Sequence, residues 1–163
     1  MSLSIFWENI FKKDRQVWTV QEALKKNIVF KDLAPREINQ IQNITHLRSY
    51  KASEAIFKQG EVGVGMYIIS KGSVDIIYDD NRITTLKEDD FFGELALVEE
   101  RGERTATAVA KEDTQLIGFF KPDLIQIMNQ TPEIGVKILF RIGQVIGTRL
   151  HETTALVKTQ QRN

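Results

Sequence analysis

Residues 92–110 read FGELALVEERGERTATAVA and place a carboxylate and a guanidinium, Glu94 and Arg104, ten positions apart behind a glycine, Gly93. Gly93 lets backbone approach a ligand closely, and Glu94-Leu95-Ala96-Leu97-Val98 suffices for about one helical turn, whose first N–H groups lack intrahelical partners. Free N–H groups at a helix start attract an anion. Arg104 follows a short polar loop, Glu99 to Glu103, and its planar fork suits a phosphate held by two charge-assisted hydrogen bonds. Thr105 adds a hydroxyl. A carboxylate repels phosphate, so the useful partner of Glu94 is a hydrogen-bond donor beside the phosphate, such as a sugar hydroxyl. A phosphate next to a 2′-hydroxyl describes a ribose. The competing reading of the same residues is an ordinary, partly buried Glu94–Arg104 ion pair, with the glycines serving turns.

This stretch resembles the cyclic-nucleotide-binding domain superfamily, most closely the effector domain of its bacterial catabolite-activator branch. The loop length, Glu99-Glu100 and Glu103-Arg104 fit that branch's phosphate-binding cassette without a gap. The resemblance implies that Glu94 binds the ribose 2′-hydroxyl and Arg104 the cyclic phosphate, assisted by backbone amides near Leu95 and Ala96 and by the hydroxyl position of Thr105. Kinase-type members carry a Pro before the Arg and one loop residue fewer, which this chain does not share. Residues 56–61, IFKQGE, and 66–74, MYIISKGSV, resemble the superfamily's early β-roll strands, so the likeness runs from about Leu24 to Leu156. Arg149-Leu150 and Thr153-Thr154 resemble the family branch's Arg-Leu pair and hydroxyl pair, whose hydroxyls contact adenine across a dimer, given about one extra helical turn after Pro132. The implied ligand is cAMP. Arg104-Thr105 is also the pair of cGMP-selective members, which keeps cGMP open.

Positioning such a site takes a small roll of strands with helices around it. From Leu47 the sequence turns to short runs rich in Ile, Val, Tyr and Thr, broken by Gly, Asp and Asn. Strands are expected near Leu47 to Tyr50, Ala55 to Lys58, Met66 to Ser70, Ser73 to Tyr78, Arg82 to Lys87, Thr105 to Ala110 and Gln115 to Phe119. Gly60, Gly63, Gly65, Gly72 and Asp79-Asp80-Asn81 supply most of the turns. Short strands with tight turns indicate a barrel or roll.

Before the roll, Thr19 with Glu22 forms a capping-box pattern for a helix that Asn27 stops, and Pro35 opens a second with Ile38, Ile41 and Ile44. After it, Pro122 to Asn129 reads as a helix, and Thr131-Pro132 opens a last one that reaches about Lys158. Leu139, Ile142, Ile146, Arg149, Thr153 and Leu156 recur at spacings of three and four, the pattern of a two-stranded seam, and Gly143 and Gly147 let a neighbouring helix come close. The other reading of this stripe is packing on its own roll. In the resembled family this helix is the dimer seam and covers the base.

The chain of 163 residues, 42% hydrophobic and 27% charged, suffices for one domain with a core. Lys plus Arg and Asp plus Glu both number 22, so no basic surplus holds a polyanion. After Leu156 seven residues remain, too few for a recognition helix and its support, so direct DNA binding is not expected. There is no cysteine, which excludes disulfides and thiol chemistry. His46 and His151 have no metal-ligand spacing, and neither a cupin His-X-His nor a Gly-X-Ser-X-Gly turn is present. No enzyme and no metal are expected, and the cytoplasm is the default location. Ser2 to Phe11 carries Ile5, Phe6, Trp7, Ile10 and Phe11 before Lys12-Lys13 and reads as a packing segment, or as one that docks on a membrane surface or a partner protein.

The expected fold is a mainly β, double-stranded β-helix (a jelly-roll-like β-roll) with N-terminal helices and a long C-terminal helix. Its parts are an N-terminal helical extension (1–27), the ligand-binding roll (28–120) and the C-terminal lid and dimer helices (121–163). The expected function is a stand-alone cyclic-nucleotide sensor, homodimeric through its last helix, that reports to a protein effector. The alternatives are a ligand-independent dimerising module and the effector-domain fragment of a larger transcription regulator or signalling protein.

Overall fold

The computed structural model describes residues 20–160, with side chains through Ala155. The Thr19 capping pattern, the segment Ser2 to Phe11 and the side chain of Leu156 lie outside that range. Helix α1 covers residues 20–26 and α2 Pro35–Ile44. Eight strands follow: β1 His46–Tyr50, β2 Ala55–Phe57, β3 Gly65–Lys71, β4 Val74–Tyr78, β5 Asn81–Leu86, β6 Phe91–Phe92, β7 Thr107–Ala110 and β8 Thr114–Phe120. A one-turn 3-10 helix, Glu94–Leu97, separates β6 from β7, and α3 (Lys121–Gln130) and α4 (Pro132–Gln160) close the fold. The strands form two antiparallel sheets, in the orders β1-β8-β3-β6 and β2-β7-β4-β5.

Strand alternation sorts the core into two halves. On β3, Met66 and Ile68 pack with Phe30, Ile38, Ile41, Leu124 and Ile138 under the helices. Their neighbours Tyr67 and Ile69 turn the other way, into a core between the sheets with Val74, Phe92, Ala108 and Leu116. Asn27 stops α1 as expected, its side-chain oxygen accepting from the Val29 amide at 2.9 Å. Pro35 opens α2, where Glu37 accepts from the Ala34 amide at 2.7 Å.

Two strands depart from the sequence expectation. Strand β6 was not anticipated, because two residues carry no period. The strand after Arg104 begins at Thr107 and not at Thr105, because the Arg104 backbone is pinned to the preceding loop: its N–H donates to Glu61 O and its carbonyl accepts from Gly60 N–H, both at 2.8 Å. Thr105 and Ala106 form a bend that carries the chain from this pin into β7.

Helix α4 carries two stripes about 180° apart at 100° per residue. Ile134, Ile138 and Ile142 are buried against the domain, with Leu139 and Ile146 packed beside them. Ile142 and Ile146, read above as part of a dimer seam, therefore face the chain's own roll. Val136 (66% exposed), Phe140 (63%) and Leu150 (65%) lie on the opposite face. Gly143 and Gly147 fall between them in the 4-3-4-3 spacing of a coiled-coil seam, with open space where a side chain would stand.

Two ion pairs clamp α4 to α2 and to the turn before it. Lys137 Nζ donates to both oxygens of Glu37 at 2.8 Å, and Arg141 spans both oxygens of Asp32 at 2.5 and 2.8 Å. The hydrogen bond from Arg141 holds the Asp32 carboxyl below its ordinary range, and the one from Lys137 does the same for Glu37. A carboxylate whose folded-state pKa is depressed stabilises the fold above its unfolded pKa, and that contribution is lost as pH falls through the folded value. Thermal melts should therefore shift downward as pH drops from about 5 to about 3. An Asp32→Asn/Glu37→Gln protein should show a shallower slope over that window, and identical slopes would remove these pairs from the acid response.

Candidate functional site

Past Phe57, Ile76, Leu86 and Phe92 the inter-sheet core is unfilled and opens into a cavity of about 540 Å³. That is the size of a small-molecule site. Its walls are mostly apolar, with polar groups concentrated in the segments 93–96 and 103–106 and on α4, which contributes Ile146, Arg149, Leu150 and Thr153.

Gly93 has φ +78, and a β-carbon there would stand 2.5 Å from Arg104 Nη1, so both backbone shape and space demand glycine. It leads into the 3-10 turn, where Ala96 donates back to the Gly93 carbonyl at 3.2 Å while Leu95 precedes the first such bond. Glu94, Leu95 and Ala96 all border the cavity. Glu94 is 3% exposed.

Arg104 is 6% exposed and has no carboxylate within ion-pair distance among the described residues. Nη1 donates to the Gly93 carbonyl at 3.2 Å, and Nε is buried without an acceptor. The guanidinium lies over the Phe57 ring, 4.0 Å from its centroid, with Tyr67 at 5.9 Å. Burial pushes its pKa down, opposed by Tyr67, Glu61 and Glu94. An arginine stays charged even so. The result is a desolvated cation beside a cavity without a matching anion among the described residues, and burial of an unpaired charge is costly enough to need a purpose.

The Glu94–Arg104 ion pair does not form. Glu94 is instead paired with Arg149, whose Nη1 donates to Glu94 Oε1 and whose guanidinium lies 5.0 Å from the Phe91 ring centroid. In the sequence Arg149 stands out as one member of a helical stripe and of an Arg-Leu pair resembling the family's, and only the fold brings it 55 positions back to Glu94. Thr105 is exposed at the cavity rim. Thr153 lines the cavity, and its Oγ1 donates to the Arg149 carbonyl at 2.8 Å. Thr154 does not line the cavity: it is exposed, donates to the Leu150 carbonyl at 2.9 Å and continues the stripe of Val136 and Phe140. The site therefore brings together Gly93, Glu94, Leu95, Ala96, Arg104, Thr105 and Thr153 and leaves Thr154 outside. It adds Arg149, Thr84 and the aromatic bed of Phe57 and Tyr67, which periodicity marked only as strand or helix residues.

His46 Nε2 lies 3.3 Å from Asp123 Oδ2 and its ring stacks on Phe120. Among the described residues no group of three or more His, Asp or Glu is arranged to hold a metal, and no helix is long and apolar enough to cross a membrane.

A two-sheet roll with a buried arginine beside a helix-bordered cavity has the layout of a small-ligand binding domain. The chain belongs to the cyclic nucleotide-binding domain family, whose model matches residues 47–131. It is similar to the cyclic AMP receptor protein of Thermus thermophilus, 29% identical over 134 residues, covering 79% of this chain and 60% of that protein. It is also similar to the cGMP-dependent protein kinase of Plasmodium berghei, 31% identical over 123 residues, covering 73% of this chain and 14% of that protein. A cyclic nucleotide-binding domain from Methylobacillus flagellatus shares the fold, with a TM-score of 0.76 at 20% identity over 90% of this chain and 85% of that one. The chain thus spans 60% of the first of these relatives and 14% of the second. Domains of this family are regulatory binding modules.

Proposed function

We propose that this chain is a cyclic-nucleotide sensor that takes cAMP in preference to cGMP, acting in the cytoplasm and reporting to a protein effector. The buried Arg104 without a carboxylate partner carries the reading. A cyclic phosphate at Arg104 would supply the absent anion, assisted by the Thr105 hydroxyl and the backbone of Gly93, Leu95 and Ala96. The ribose 2′-hydroxyl would donate to Glu94, whose Oε2 has no hydrogen bond within the described residues. The base would lie between the roll and α4, near Thr153. Support for cAMP comes from the Thermus relative, a cyclic AMP receptor protein, and the kinase relative keeps cGMP as the comparison ligand.

In this reading, residues 28–120 bind, 121–163 cover the ligand and dimerise, and 1–27 are an extension open to a partner or a membrane surface. Dimerisation would use the exposed stripe of Val136, Phe140, Gly143, Gly147 and Leu150, which would carry Thr154 to the partner's side of the seam. Phe140→Lys should convert a dimer to a monomer in light scattering coupled to size exclusion. An unchanged mass would move the interface elsewhere.

The function is tested by calorimetric titration of the protein with cAMP and then cGMP. Micromolar or tighter binding of cAMP, with cGMP weaker, is expected. A folded protein that binds neither leaves the ligand-independent dimerising module as the better reading.

A further inference from the structure

We propose that Phe57 is a positioning residue for the phosphate site: its ring holds the Arg104 guanidinium apart from the acids nearby and leaves the Nε–Nη2 edge to take a phosphate side-on. This rests on the reading that the ligand is a cyclic nucleotide with its phosphate at Arg104.

Phe57 reaches Arg104 through an irregularity in its own strand. Regular alternation would send Ile56 and Phe57 to opposite faces of β2. Ala55 pairs with Val109 and Phe57 with Ala108, so two steps along β2 stand against one along β7, which is a bulge. Ile56 and Phe57 consequently both pack against the core between the sheets. Two further rings fix Phe57 in place, Phe92 at 5.7 Å and Tyr67 at 6.3 Å between centroids.

The guanidinium is held by more than the ring. Arg104 Cζ lies 4.0 Å from the centre of Phe57, and a β-carbon on Gly63 would overlap Nε and Cζ, so bare backbone closes on the same group. Nη1 donates to the Gly93 carbonyl at 3.2 Å. Those contacts assign the edges of the fork. Nη1 is spent on Gly93, whereas Nε is buried without an acceptor and Nη2 has no hydrogen bond within the described residues. Nε–H and one Nη2–H run parallel on a guanidinium, the pair that spans two oxygens of a phosphate.

The ring also keeps the charges of the site apart. Glu61 and Glu94 are near enough to favour the Arg104 charge, yet neither lies within ion-pair distance of it. An arginine free to turn would close on such a carboxylate and spend the N–H groups that a phosphate needs. A ring face attracts a cation without offering an oxygen to bond. Phe57 therefore holds Arg104 and leaves its donors to the ligand, a preorganisation that spares the ligand the ordering of a long side chain.

The test titrates wild type, Phe57→Leu and Phe57→Tyr with cAMP by calorimetry and follows the Arg104 Nε–H signal by NMR, assigned by its absence from Arg104→Met. Phe57→Leu removes the ring face and should weaken cAMP about 5- to 10-fold, the loss of one desolvated cation–π contact. Phe57→Tyr keeps the face and should bind within about twofold of the parent. In free wild-type protein the Nε–H should lie upfield of ordinary arginine, shielded by the ring. Saturating cAMP should move it downfield as a phosphate oxygen accepts it, and in Phe57→Leu it should fall short of that position. A ring that only filled the cavity wall would weaken binding yet leave the saturated Nε–H where wild type has it. That result, equal affinity in parent and Phe57→Leu, or equal losses in the two variants would overturn the proposal. So would a free wild-type Nε–H without the upfield shift, whether or not nucleotide binds. Wild-type protein that shows the shift but binds no cAMP would instead overturn the reading beneath.

Discussion

Arg104→Met is expected to weaken cyclic-nucleotide binding by at least about a hundredfold without lowering the thermal midpoint. The two halves of that outcome have the same origin. Arg104 is 6% exposed, gives one hydrogen bond to the Gly93 carbonyl, leaves Nε without an acceptor and has no ion-pair partner among the described residues. Burial disfavours its charge, as the lowered pKa reflects. Replacing a buried charge with an apolar side chain of similar volume is often neutral or stabilising by about 1–4 kcal/mol. Methionine would keep the contact with Phe57 and remove the desolvated cation. A bound phosphate loses far more. Two charge-assisted hydrogen bonds at about 1.5–3 kcal/mol each amount to two or more decades of affinity. Calorimetry and a thermal melt on one preparation check both halves. A variant that bound normally would sink the phosphate assignment, and one that melted well below the parent would make Arg104 structural.

The fold could be read because its signals are local. Short runs rich in Ile, Val and Tyr in Met66 to Tyr78, the glycines and Asp-Asn turn between strands, and Pro35 and Pro132 at helix starts each act within a few residues. Strand β6 escaped because Phe91-Phe92 has no period to detect. The start of β7 slipped because tertiary hydrogen bonds from Gly60 and Glu61, some 44 positions away, hold Arg104 outside the ladder.

The site divides in the same way. Gly93 to Thr105 is one continuous segment, so residue types and spacing exposed it. What was not legible is which acid meets which base. Glu94 and Arg104 are near neighbours in sequence and suggest each other as partners, yet the 3-10 turn sends the carboxylate towards α4 and the guanidinium onto Phe57. The register of α4 was ambiguous for a related reason. A helix with apolar residues on two faces satisfies more than one three-four pattern, and packing decides which stripe is buried. Here Ile134, Ile138 and Ile142 won the core, leaving Val136 and Phe140 outside.

Arg149→Ala should destabilise the protein more than Glu94→Gln does, although both break the same ion pair. The Glu94 side chain is 4% exposed and that of Arg149 is 47% exposed. Without Arg149 a buried carboxylate keeps its charge and loses its donor, at a cost of about 2–3 kcal/mol, or roughly 5–10 °C in midpoint for a chain of this size. Without the carboxylate, Arg149 swings into water, and the loss is about 1 kcal/mol or less. The double variant should recover most of the difference, since neither charge is then left buried. Arg149 Nη1 takes Oε1, so with the proposed ribose hydroxyl on Oε2 one carboxylate would tie α4 and the ligand together. Ligand should therefore slow amide exchange in the second half of α4, and Arg149→Ala should remove that protection even where nucleotide still binds. If ligand protects the helix equally in both proteins, the coupling between cavity and α4 runs through the apolar contacts of Ile146 and Leu150 instead.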